Sequence, residues 1–483
     1  MTPVIRVQSV EQYLQMVETR MPFRYGAAKL VRCPHLYLVA TVTDAGGRTA
    51  RGIAADNLPP KWFDKSPAKS YAQELGDQLQ VVRWAAEAAQ SGSATTPFRL
   101  WHHVYMATQR QAQAAGLPGL LAGFGPSLIE RAVNDAVGQL LDLPFHALLA
   151  GNALGIELGR LDSALAGIAP SQVLPAQPLD SIAARHTVGL SDPIRVADIP
   201  AAERLHDGLP QSLDEVITFY GVRYLKIKIQ NKLDEDIERL TAIAVLLDES
   251  LPSIPFYCTL DGNEQYDTLE QLLPILEALR DRPALARFAA SIIFIEQPLA
   301  RAVALDAERC GGIERITDRF PLIIDESDDA LDAYSRALRL GYSGTSHKNC
   351  KNTFKSVMNI ARSHRAQAET RRPIIMSAED LTSIGVVALH EDLVALSSLG
   401  ITHAERNGHH YFRGLSHLSP DDQRRAATAH PGLYCDGDGT VRLDIREGQI
   451  DCRSLHRLSG LGAAWPNLEE FVPVEEFDPS SVT

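Results

Sequence analysis

Short apolar runs interleaved with charged residues fill the middle of the chain. In "YLKIKIQN" (224–231), aliphatic residues alternate with Lys226 and Lys228. Side chains two residues apart in a strand point to the same side, so both lysines lie on one face. The pattern predicts a strand that has one wet face or, if it is buried, holds two lysines in a pocket. Buried lysines need partners or lose their charge.

The same pattern recurs downstream, where each run ends in charged or polar residues. These ends are Asp261, Glu296, Asp325, Lys348, Ser377 with Glu379, and His403 with Glu405. Starting from Lys228, the steps to Asp261, Glu296, Asp325, Lys348, Glu379 and Glu405 are 33, 35, 29, 23, 31 and 26 residues. Each step has about the length of one strand, one helix and two loops. Segments of helical periodicity, such as "LDEDIERLTAIAVLLDES", fill the gaps.

Alternating strands and helices predict a parallel sheet, either open or closed into a barrel. Charge at the end of each strand favours the closed (β/α)8-type barrel, in which catalytic residues come from the C-terminal ends of several strands. No GxGxxG follows a strand and no GxxxxGK[ST] occurs, so nucleotide binding is weakly supported.

The flanking segments differ in pattern. Residues 1 to about 180 begin with "VRCPHLYLVATVTDAGGRTARGIAADN", which predicts antiparallel strands joined by a Gly-Gly turn. Helices such as "LIERAVNDAVGQLLDL" follow. The stretch after residue 416 returns to turns and short strands, and its tail is acidic.

Composition excludes several classes of function. A total of 47 Lys and Arg against 60 Asp and Glu gives a net charge of −13, which disfavours a nucleic-acid partner. We find no apolar run of membrane-spanning length and no signal peptide. The six cysteines are scattered without a CxxC pair, so we expect neither a zinc knuckle nor a disulfide framework. A cytoplasmic protein is the default expectation.

Three carboxylates would end successive strands at Asp261, Glu296 and Asp325. Oxygen ligands of this kind suit Mg²⁺, and without a cation they would repel one another. A divalent ion with nearby lysines makes a pocket for a substrate carboxylate. If the carbon beside that carboxylate loses a proton, the cation stabilises the enediolate charge, and a lysine of lowered pKa serves as the base.

The order of these residues resembles the enolase superfamily, in its mandelate racemase/muconate lactonizing family and closest to the muconate-lactonizing (Lys-Lys) subgroup. The matching motifs are Lys226-Ile-Lys228, "LDGN" with Asp261 and Asn263, "IEQP" with Glu296, "DES" with Asp325, and Lys348. "ERAVNDAVGQLLDLPFHALLAGNAL" resembles the helix that leads into the barrel, and "HTVGL" resembles its first strand.

This resemblance implies a (β/α)7–8 TIM-type barrel with an α+β N-terminal capping domain completed by C-terminal segments. We expect the capping domain at 1–180, the barrel at 181–415, and a C-terminal segment at 416–483 that packs back on the capping domain.

The resemblance also implies the roles of the site residues. One Mg²⁺, for which Mn²⁺ can substitute, is bound by Asp261, Glu296 and Asp325. Lys228 and Lys348 act on opposite faces of the substrate. Lys226 neutralises the substrate carboxylate and lowers the pKa of Lys228.

Substrate contacts are implied for five further residues. These are Arg24 and Trp62, in the two capping loops, and Asn263, His403 and Glu405. For Glu405 an ordinary ion pair is an equal alternative. His403, His409 and His410 form a second metal site or, as we favour, "NGHHYFRG" is a polar loop.

The chain also departs from the family pattern. The glycine pair expected after Lys351 is replaced by "NTFKS", so we expect a different loop shape there. An insertion at 191–212 is placed where it could fold over the site. His403-Ala-Glu405 replaces the DxD of dipeptide epimerases, and Ser377 stands where the mandelate racemase subgroup has a histidine.

Three functions remain open. The first is a racemase, epimerase or cycloisomerase of a small carboxylate. The second is a lyase, of the type that dehydrates sugar acids by β-elimination. The third is a barrel that binds a carboxylate without turnover. The expected partner is a small-molecule carboxylate, without nucleic acid or membrane, in a homo-oligomer.

Overall fold

The structure is a computed structural model that describes residues 2–25, 28–317, 319–437 and 439–482. It contains an antiparallel sheet with helices at the N-terminal side, a parallel barrel, and a C-terminal stretch that contacts both. In the part of the chain described, no helix combines the length and apolar character needed to cross a membrane.

The N-terminal sheet is built from a long hairpin and a third antiparallel strand. Its strands are β1 (Ile5–Tyr25), β2 (Ala28–Asp44) and β3 (Thr49–Asn57). The predicted Gly-Gly turn joins β2 to β3, and Gly47 there has φ +81°, a conformation that glycine adopts without strain. Residues 33–40 of β2 and 52–57 of β3 are buried in succession, so both faces of the sheet are covered there.

Six helices follow. They are α1 (Tyr71–Ser91), α2 (Pro97–Ala114), α3 (Gly119–Ala122), α4 (Phe124–Leu141), α5 (Phe145–Ala150) and α6 (Leu158–Leu161). Helix α4 lies directly on the sheet. A Cβ atom added at Gly52 of β3 would lie 2.1 Å from the Ala132 carbonyl oxygen, so only glycine permits this close packing.

The barrel consists of eight short strands that alternate with helices. The strands are β4 (Ser181–Val188), β5 (Tyr224–Lys228), β6 (Tyr257–Asp261), β7 (Ile292–Glu296), β8 (Leu322–Ile324), β9 (Gly344–His347), β10 (Ile375–Ala378) and β11 (His403–Glu405). The helices are α7 (Leu213–Tyr220), α8 (Leu233–Ser250), α9 (Leu269–Asp281), α10 (Ala286–Ser291), α11 (Ile313–Thr317), α12 (Ala333–Leu340), α13 (Thr353–Thr370), α14 (Val387–Leu399) and α15 (Gly408–Tyr411).

All eight strands are parallel. Strands β4 to β10 pair in chain order, β11 pairs with β4, and β10 contacts β11. The circle is therefore complete, and the predicted α/β barrel with an N-terminal capping domain is confirmed. Because the strands are parallel, all their C-terminal ends meet at one mouth of the barrel.

The C-terminal stretch contains α16 (Pro420–Ala429), β12 (Tyr434–Gly437), β13 (Thr440–Leu443), β14 (Ile445–Arg446), β15 (Gln449–Asp451) and β16 (Val472–Pro473). Strand β15 pairs antiparallel with β4 of the barrel, whereas β16 pairs with β1 and completes the N-terminal sheet. The stretch thus contacts both parts of the molecule. The domain boundaries themselves stay predictions.

The insertion at 191–212 contains two short 3₁₀ turns, Val196–Asp198 and Ala201–Glu203. Arg20 of β1 reaches into it and forms an ion pair with Asp207 (2.6 Å). The same guanidinium donates to the carbonyl oxygens of Pro210 and His410. The insertion is therefore fastened to the hairpin of the capping domain beside the barrel mouth.

Candidate functional site

A cavity lies at the mouth of the barrel, between the strand ends and the capping domain. It encloses about 450 Å³, its open mouth included. It is lined by Phe23, Tyr25, Pro59, Trp62, Lys228, Asn263, Asp325, Lys348, Glu379, Asp380, Leu381, Thr382, Glu405 and Asn407. Phe23 and Tyr25 at the end of β1 and Pro59 and Trp62 after β3 supply most of the apolar wall.

The register of β5, β6 and β7 places Lys228, Asp261 and Glu296 side by side at the C-terminal ends of these strands. Lys228 is the register partner of Asp261, and Asp261 is the register partner of Glu296. Lys228 Nζ lies 2.5 Å from Asp261 Oδ2. Burial would raise the pKa of Asp261, but Lys226 and Lys228 lower it to about 2.

Lys226 lies one layer deeper and does not line the cavity. Its ammonium is 2.9 Å from Asp261 Oδ2, Glu296 Oε2 and Glu405 Oε2, and it also contacts Glu379. Burial alone would lower the pKa of Lys226, but the surrounding carboxylates raise it well above its usual value. The side chain is therefore a permanent positive charge beneath the mouth of the barrel.

Lys348 enters the cavity from the end of β9. Its Nζ lies 2.9 Å from Asp325 Oδ2 and 2.8 Å from Glu379 Oε2. Burial opposes the charge, but these two carboxylates raise the pKa of Lys348 well above its usual value. The Trp62 ring of the capping domain covers the ammonium.

Asp325 is held by residues to which the sequence assigned no role. Lys351 Nζ donates to Asp325 Oδ1 (2.5 Å) and to its main-chain oxygen (2.7 Å). The Gln297 side chain accepts from the Asp325 amide (2.8 Å) and so fixes the loop after β8. Asn352, which follows Lys351 in the chain, has φ +80°, a left-handed conformation. An asparagine therefore supports the turn at a place where the family pattern has glycine.

Three buried acids converge on a single point. Asp261, Glu296 and Glu379 each place one carboxylate oxygen within 4.8 Å of the others. No described N–H or O–H group donates to Glu296, although Lys226 Nζ is at ion-pair distance. Burial and the charge of Glu379 raise the pKa of Glu296 well above its usual value. A set of buried oxygen ligands fits a divalent cation such as Mg²⁺ or Mn²⁺.

Two of the predicted substrate contacts, Glu405 and His403, are separated by the length of strand β11. Glu405 reaches the cavity, but Lys226, Thr187 and the Asn407 amide already satisfy its oxygens. His403, at the start of the strand, accepts a hydrogen bond from Arg185 (2.8 Å). Burial lowers the pKa of His403 to about 3, so it is neutral and does not line the cavity.

Trp62, in a capping loop, and Asn263, after β6, line the cavity, whereas Arg24 does not. Arg24 is exposed, and its neighbours Phe23 and Tyr25 face the cavity instead. The Tyr25 hydroxyl donates to the carbonyl oxygen of Pro60, which joins the hairpin to the loop of Trp62.

His409 and His410 pack around His186 and lie away from any acid cluster of metal-binding type. The ring centres of His186 and His410 are 4.8 Å apart and cross edge to face. Burial lowers the pKa of His186 to about 3. Within the described residues, the only group whose ligand atoms converge for a metal is Asp261, Glu296 and Glu379. The stretch predicted to be a polar loop forms the short helix α15 instead, with His410 and Tyr411 buried.

The sequence did not assign a role to Glu379 or Asp380, although "RRPIIMSAED" placed both after a strand. The Glu379 amide donates to the carbonyl oxygen of His347, which sets it beside Lys348. Asp380 forms an ion pair with Arg406 (3.2 Å). The two acids at the end of "RRPIIMSAED" were the feature of the sequence that could have indicated a functional role for Glu379 and Asp380.

Comparison with known proteins gives matches in structure but not in sequence. No protein-family model matches the chain, and no curated protein matches it. A muconate lactonizing enzyme from Pseudomonas fluorescens, crystallised with muconolactone, has 15% identity and a TM-score of 0.58, covering 96% of this chain and 98% of that one.

Two further solved structures are similar. A dipeptide epimerase from Enterococcus faecalis V583, complexed with Mg and L-Leu-L-Tyr, has 15% identity and a TM-score of 0.57, covering 95% and 99% of the two chains. An enolase from Bradyrhizobium, complexed with magnesium and mandelic acid, has 16% identity and a TM-score of 0.56, covering 96% and 97%. The chain therefore shares the fold of these three structures.

Proposed function

We propose that the protein is a Mg²⁺-dependent isomerase that removes the proton next to a substrate carboxylate, as a racemase, an epimerase or a cycloisomerase. One observation carries the proposal. Lys228 and Lys348 line the same cavity from strands that are four apart in a barrel of eight. They therefore approach a molecule in the cavity from opposite sides, which is the arrangement that proton transfer at both faces of one carbon requires.

Each residue has a distinct task in this proposal. Lys228 removes the proton, and Lys348 delivers or removes one on the other face. Asp261 and Glu296, with Asp325 implied as the third ligand, would hold the cation. When bound, the cation supplies positive charge to the carboxylate oxygens as the enediolate develops.

The remaining lining residues bind and shield the substrate. Trp62 and the hairpin residues Phe23 and Tyr25 exclude water from the cavity, and Asn263 offers an amide at its edge. Water exclusion strengthens every charge interaction in the site. Small carboxylates and magnesium in the complexes of similar fold support this choice of ligand.

A lyase is a second candidate because the two lysines are not equivalent. Lys348 is paired with two carboxylates, Asp325 and Glu379, whereas Asp261 is the one carboxylate partner of Lys228 among the residues that the structure describes. A racemase alternates two similar bases. An unequal pair also suits one-way chemistry, with Lys228 as the base and Lys348 as the acid that assists a leaving group.

Solvent deuterium exchange tests the proposal. The enzyme with Mg²⁺ is incubated in D₂O with dipeptides, N-acyl amino acids, lactones and sugar acids, and the products are weighed by mass spectrometry. Lys228→Met and Lys348→Met are compared with Lys232→Met, an exposed lysine shortly after the same strand as Lys228. A gain of one dalton that either cavity variant abolishes, and that Lys232→Met keeps, supports an isomerase.

Other outcomes separate the alternatives. Loss of water indicates a dehydratase, and a new ring indicates a cycloisomerase. If calorimetry detects binding of a carboxylate but no library member exchanges or changes mass, the barrel binds without turnover and the proposed activity is refuted.

A further inference from the structure

The Trp62 loop, residues 58–70, joins β3 to α1 and crosses the mouth of the barrel above Lys348. The Trp62 ring packs edge to face on Phe63, with ring centres 4.8 Å apart. Phe63 is buried and packs in turn on Phe124 of α4, with ring centres 4.9 Å apart. These contacts fix the ring relative to the capping domain, and a separate set of contacts fixes the loop to the barrel.

Arg301, in the loop after β7, binds the main chain of the Trp62 loop. Its Nη1 donates to the carbonyl oxygen of Phe63 (3.1 Å), and its Nη2 donates to the carbonyl oxygen of Trp62 (3.3 Å). The same guanidinium also faces Glu264, with Nε 2.7 Å from Oε1 and Nη2 2.9 Å from Oε2. One planar fork therefore joins a carboxylate of the barrel to two successive carbonyl oxygens of the capping domain, which a lysine cannot do.

Glu264, after β6, receives cations from both parts of the molecule. Lys65 of the Trp62 loop forms an ion pair with it and also approaches Glu326 after β8 (3.5 Å). Burial opposes the charge of Glu264, but Arg301 and Lys65 lower its pKa. Glu264 has φ +68°, a conformation that is uncommon for residues with a side chain, and its amide donates to the carbonyl oxygen of Gln297 (2.9 Å). The barrel thus holds Glu264 in an unfavourable conformation at the point where the Trp62 loop docks.

The attachment of the capping domain as a whole has other support. Arg131 of α4 pairs with Asp56 of β3 and with Glu391 of α14, at 2.9 Å each. These three side chains are at most 4% exposed and do not line the cavity, whereas the Arg301 side chain is 24% exposed. Removing Arg301 should therefore free the Trp62 loop without separating the capping domain from the barrel.

We infer that Arg301 and Glu264 are positioning residues for the proposed proton transfer, because they hold the Trp62 ring over Lys348. Neither residue lines the cavity, so both act through the Trp62 loop. With the loop held, the ring keeps water from the ammonium of Lys348, which strengthens the charge interactions of the site. The inference rests on the proposed function, in which Lys348 moves a proton.

Labelling of lysines with acetic anhydride, measured residue by residue by mass spectrometry on the full-length protein, tests the inference without a substrate. Lys348 is 3% exposed beneath the Trp62 ring. Because Arg301→Gln removes two hydrogen bonds to the loop, we expect it to label Lys348 at least about tenfold faster than wild type does. The exposed Lys232 normalises the reagent, and the deeper Lys226 reports misfolding, so both should react as in wild type.

Arg287→Gln is the matched control. Arg287 also pairs with an acid, Asp248, and donates to two main-chain oxygens, those of Leu251 and Ile254. None of these residues lines the cavity, so the labelling of Lys348 should stay at the wild-type rate.

Two further variants separate charge from geometry. Arg301→Lys keeps the charge but loses the fork, and we expect it to uncover Lys348 as Arg301→Gln does. If Lys226 also becomes reactive in Arg301→Gln, that variant is misfolded, and the half-exposed Lys65 replaces it: Lys65→Met should uncover Lys348 while Lys226 stays protected. Labelling of Lys348 at the wild-type rate in the folded variants overturns the inference.

A double-mutant cycle tests whether Arg301 acts through the ring. Arg301→Gln should slow deuterium exchange in the wild-type background but no further in a Trp62→Leu background. Losses that multiply in the double mutant, or a wild-type exchange rate in Arg301→Gln, overturn the positioning role. A failure of the proposed function is distinct from these results, because the wild type would then exchange no acid of the library, whatever the labelling of Lys348 shows.

Discussion

Lys348 Nζ lies 4.4 Å from the centre of the Trp62 ring. The lysine belongs to the barrel and the tryptophan to the loop after β3, so this contact joins the two parts of the molecule at the cavity. An aromatic face attracts a cation, and the attraction grows when water is excluded. The capping domain thus takes part in the electrostatics of a residue proposed to move protons.

Replacing Trp62 by leucine should therefore impair turnover more than folding. The ring contact contributes about 0.5–2 kcal/mol, which corresponds to a loss of about 2- to 30-fold in kcat/KM. Deuterium-exchange rates at saturating and limiting substrate would measure it. Trp84→Leu, in α1 away from the cavity, is the matched control. Equal rates for Trp62→Leu and wild type would contradict the assignment.

The ion pair of Arg20 with Asp207 should fasten the hairpin to the insertion. The Arg20 side chain is only 4% exposed, and its guanidinium also reaches three main-chain oxygens. Arg20→Ala should lower the free energy of unfolding by about 3 kcal/mol, because it leaves a largely buried partner unpaired. Urea unfolding measures this change.

Arg32→Ala is the control for the hairpin. Arg32 of β2 pairs with Glu18 of β1, but both side chains are about half exposed or more. Such a surface pair contributes about 0–1 kcal/mol. A loss of similar size in both variants would mean that Arg20 does not fasten the insertion.

The cavity should prefer ligands that carry a single negative charge. Each acid that lines it already has a cationic partner: Asp325 with Lys348 and Lys351, Glu379 with Lys226 and Lys348, Glu405 with Lys226, and Asp380 with Arg406. The opposite wall is uncharged and consists of Phe23, Tyr25, Pro59, Trp62 and Leu381. Among the described residues that line the cavity, a ligand ammonium would find no free acid, and a second carboxylate would find no further cation.

Three related acids test this preference by calorimetry with Mg²⁺ present. 3-Phenylpropanoate has one carboxylate, phenylalanine adds an ammonium, and benzylsuccinate adds a second carboxylate. We expect the first to bind at least about tenfold more tightly than the other two, since each added charge is buried without a partner. Tighter binding of phenylalanine or benzylsuccinate would show that an acid or a lysine is free in solution.

Stability should fall as the pH drops below about 6.5. Burial lowers the pKa values of seven histidines to about 3 or 4: His35, His186, His347, His403, His417, His430 and His456. Between these values and 6.5 the unfolded chain binds more protons than the native one, so protons favour unfolding. Each such histidine contributes about 1.4 kcal/mol per pH unit.

Buried acids oppose this trend. Burial raises the pKa values of Glu130 and Glu391 to about 8 and those of Asp135 and Asp380 to about 6, so between pH 5.5 and 7 the native forms of these four acids hold protons that the unfolded chain has lost. Urea unfolding at pH 7 and 5.5 should still show lower stability at 5.5, because the histidines outnumber these acids. His35→Gln should reduce the difference, and an unchanged or reversed slope would refute the prediction.

The barrel and its charged mouth could be predicted because their signals are local. Each strand, its helix and the charge at its end occur within one stretch of about thirty residues, so the pattern repeats visibly. Which charged side chains pair with one another at the barrel mouth could not be predicted in the same way. Whether Asp325 meets a metal or Lys351 depends on side chains that cross between neighbouring strand ends.

Arg24 illustrates a second limit. Its contact with the substrate was implied by the resemblance alone. Phe23 and Tyr25 are two residues apart and both reach the cavity, whereas Arg24, between them, is exposed. The alternation of aromatic and charged residues in "PFRY" was the local signal for this arrangement.

The pairing of β16 with β1 has a consequence for the order of events during synthesis. Leu14 of β1 lies opposite Val472 of β16. A strand made early in synthesis therefore pairs with a strand that is made only after the whole barrel. Until then its outer edge is open to pairing with other chains. We expect nascent chains halted before residue 472 to self-associate more than chains that include β16. Light scattering of the two sets of stalled chains would measure this self-association.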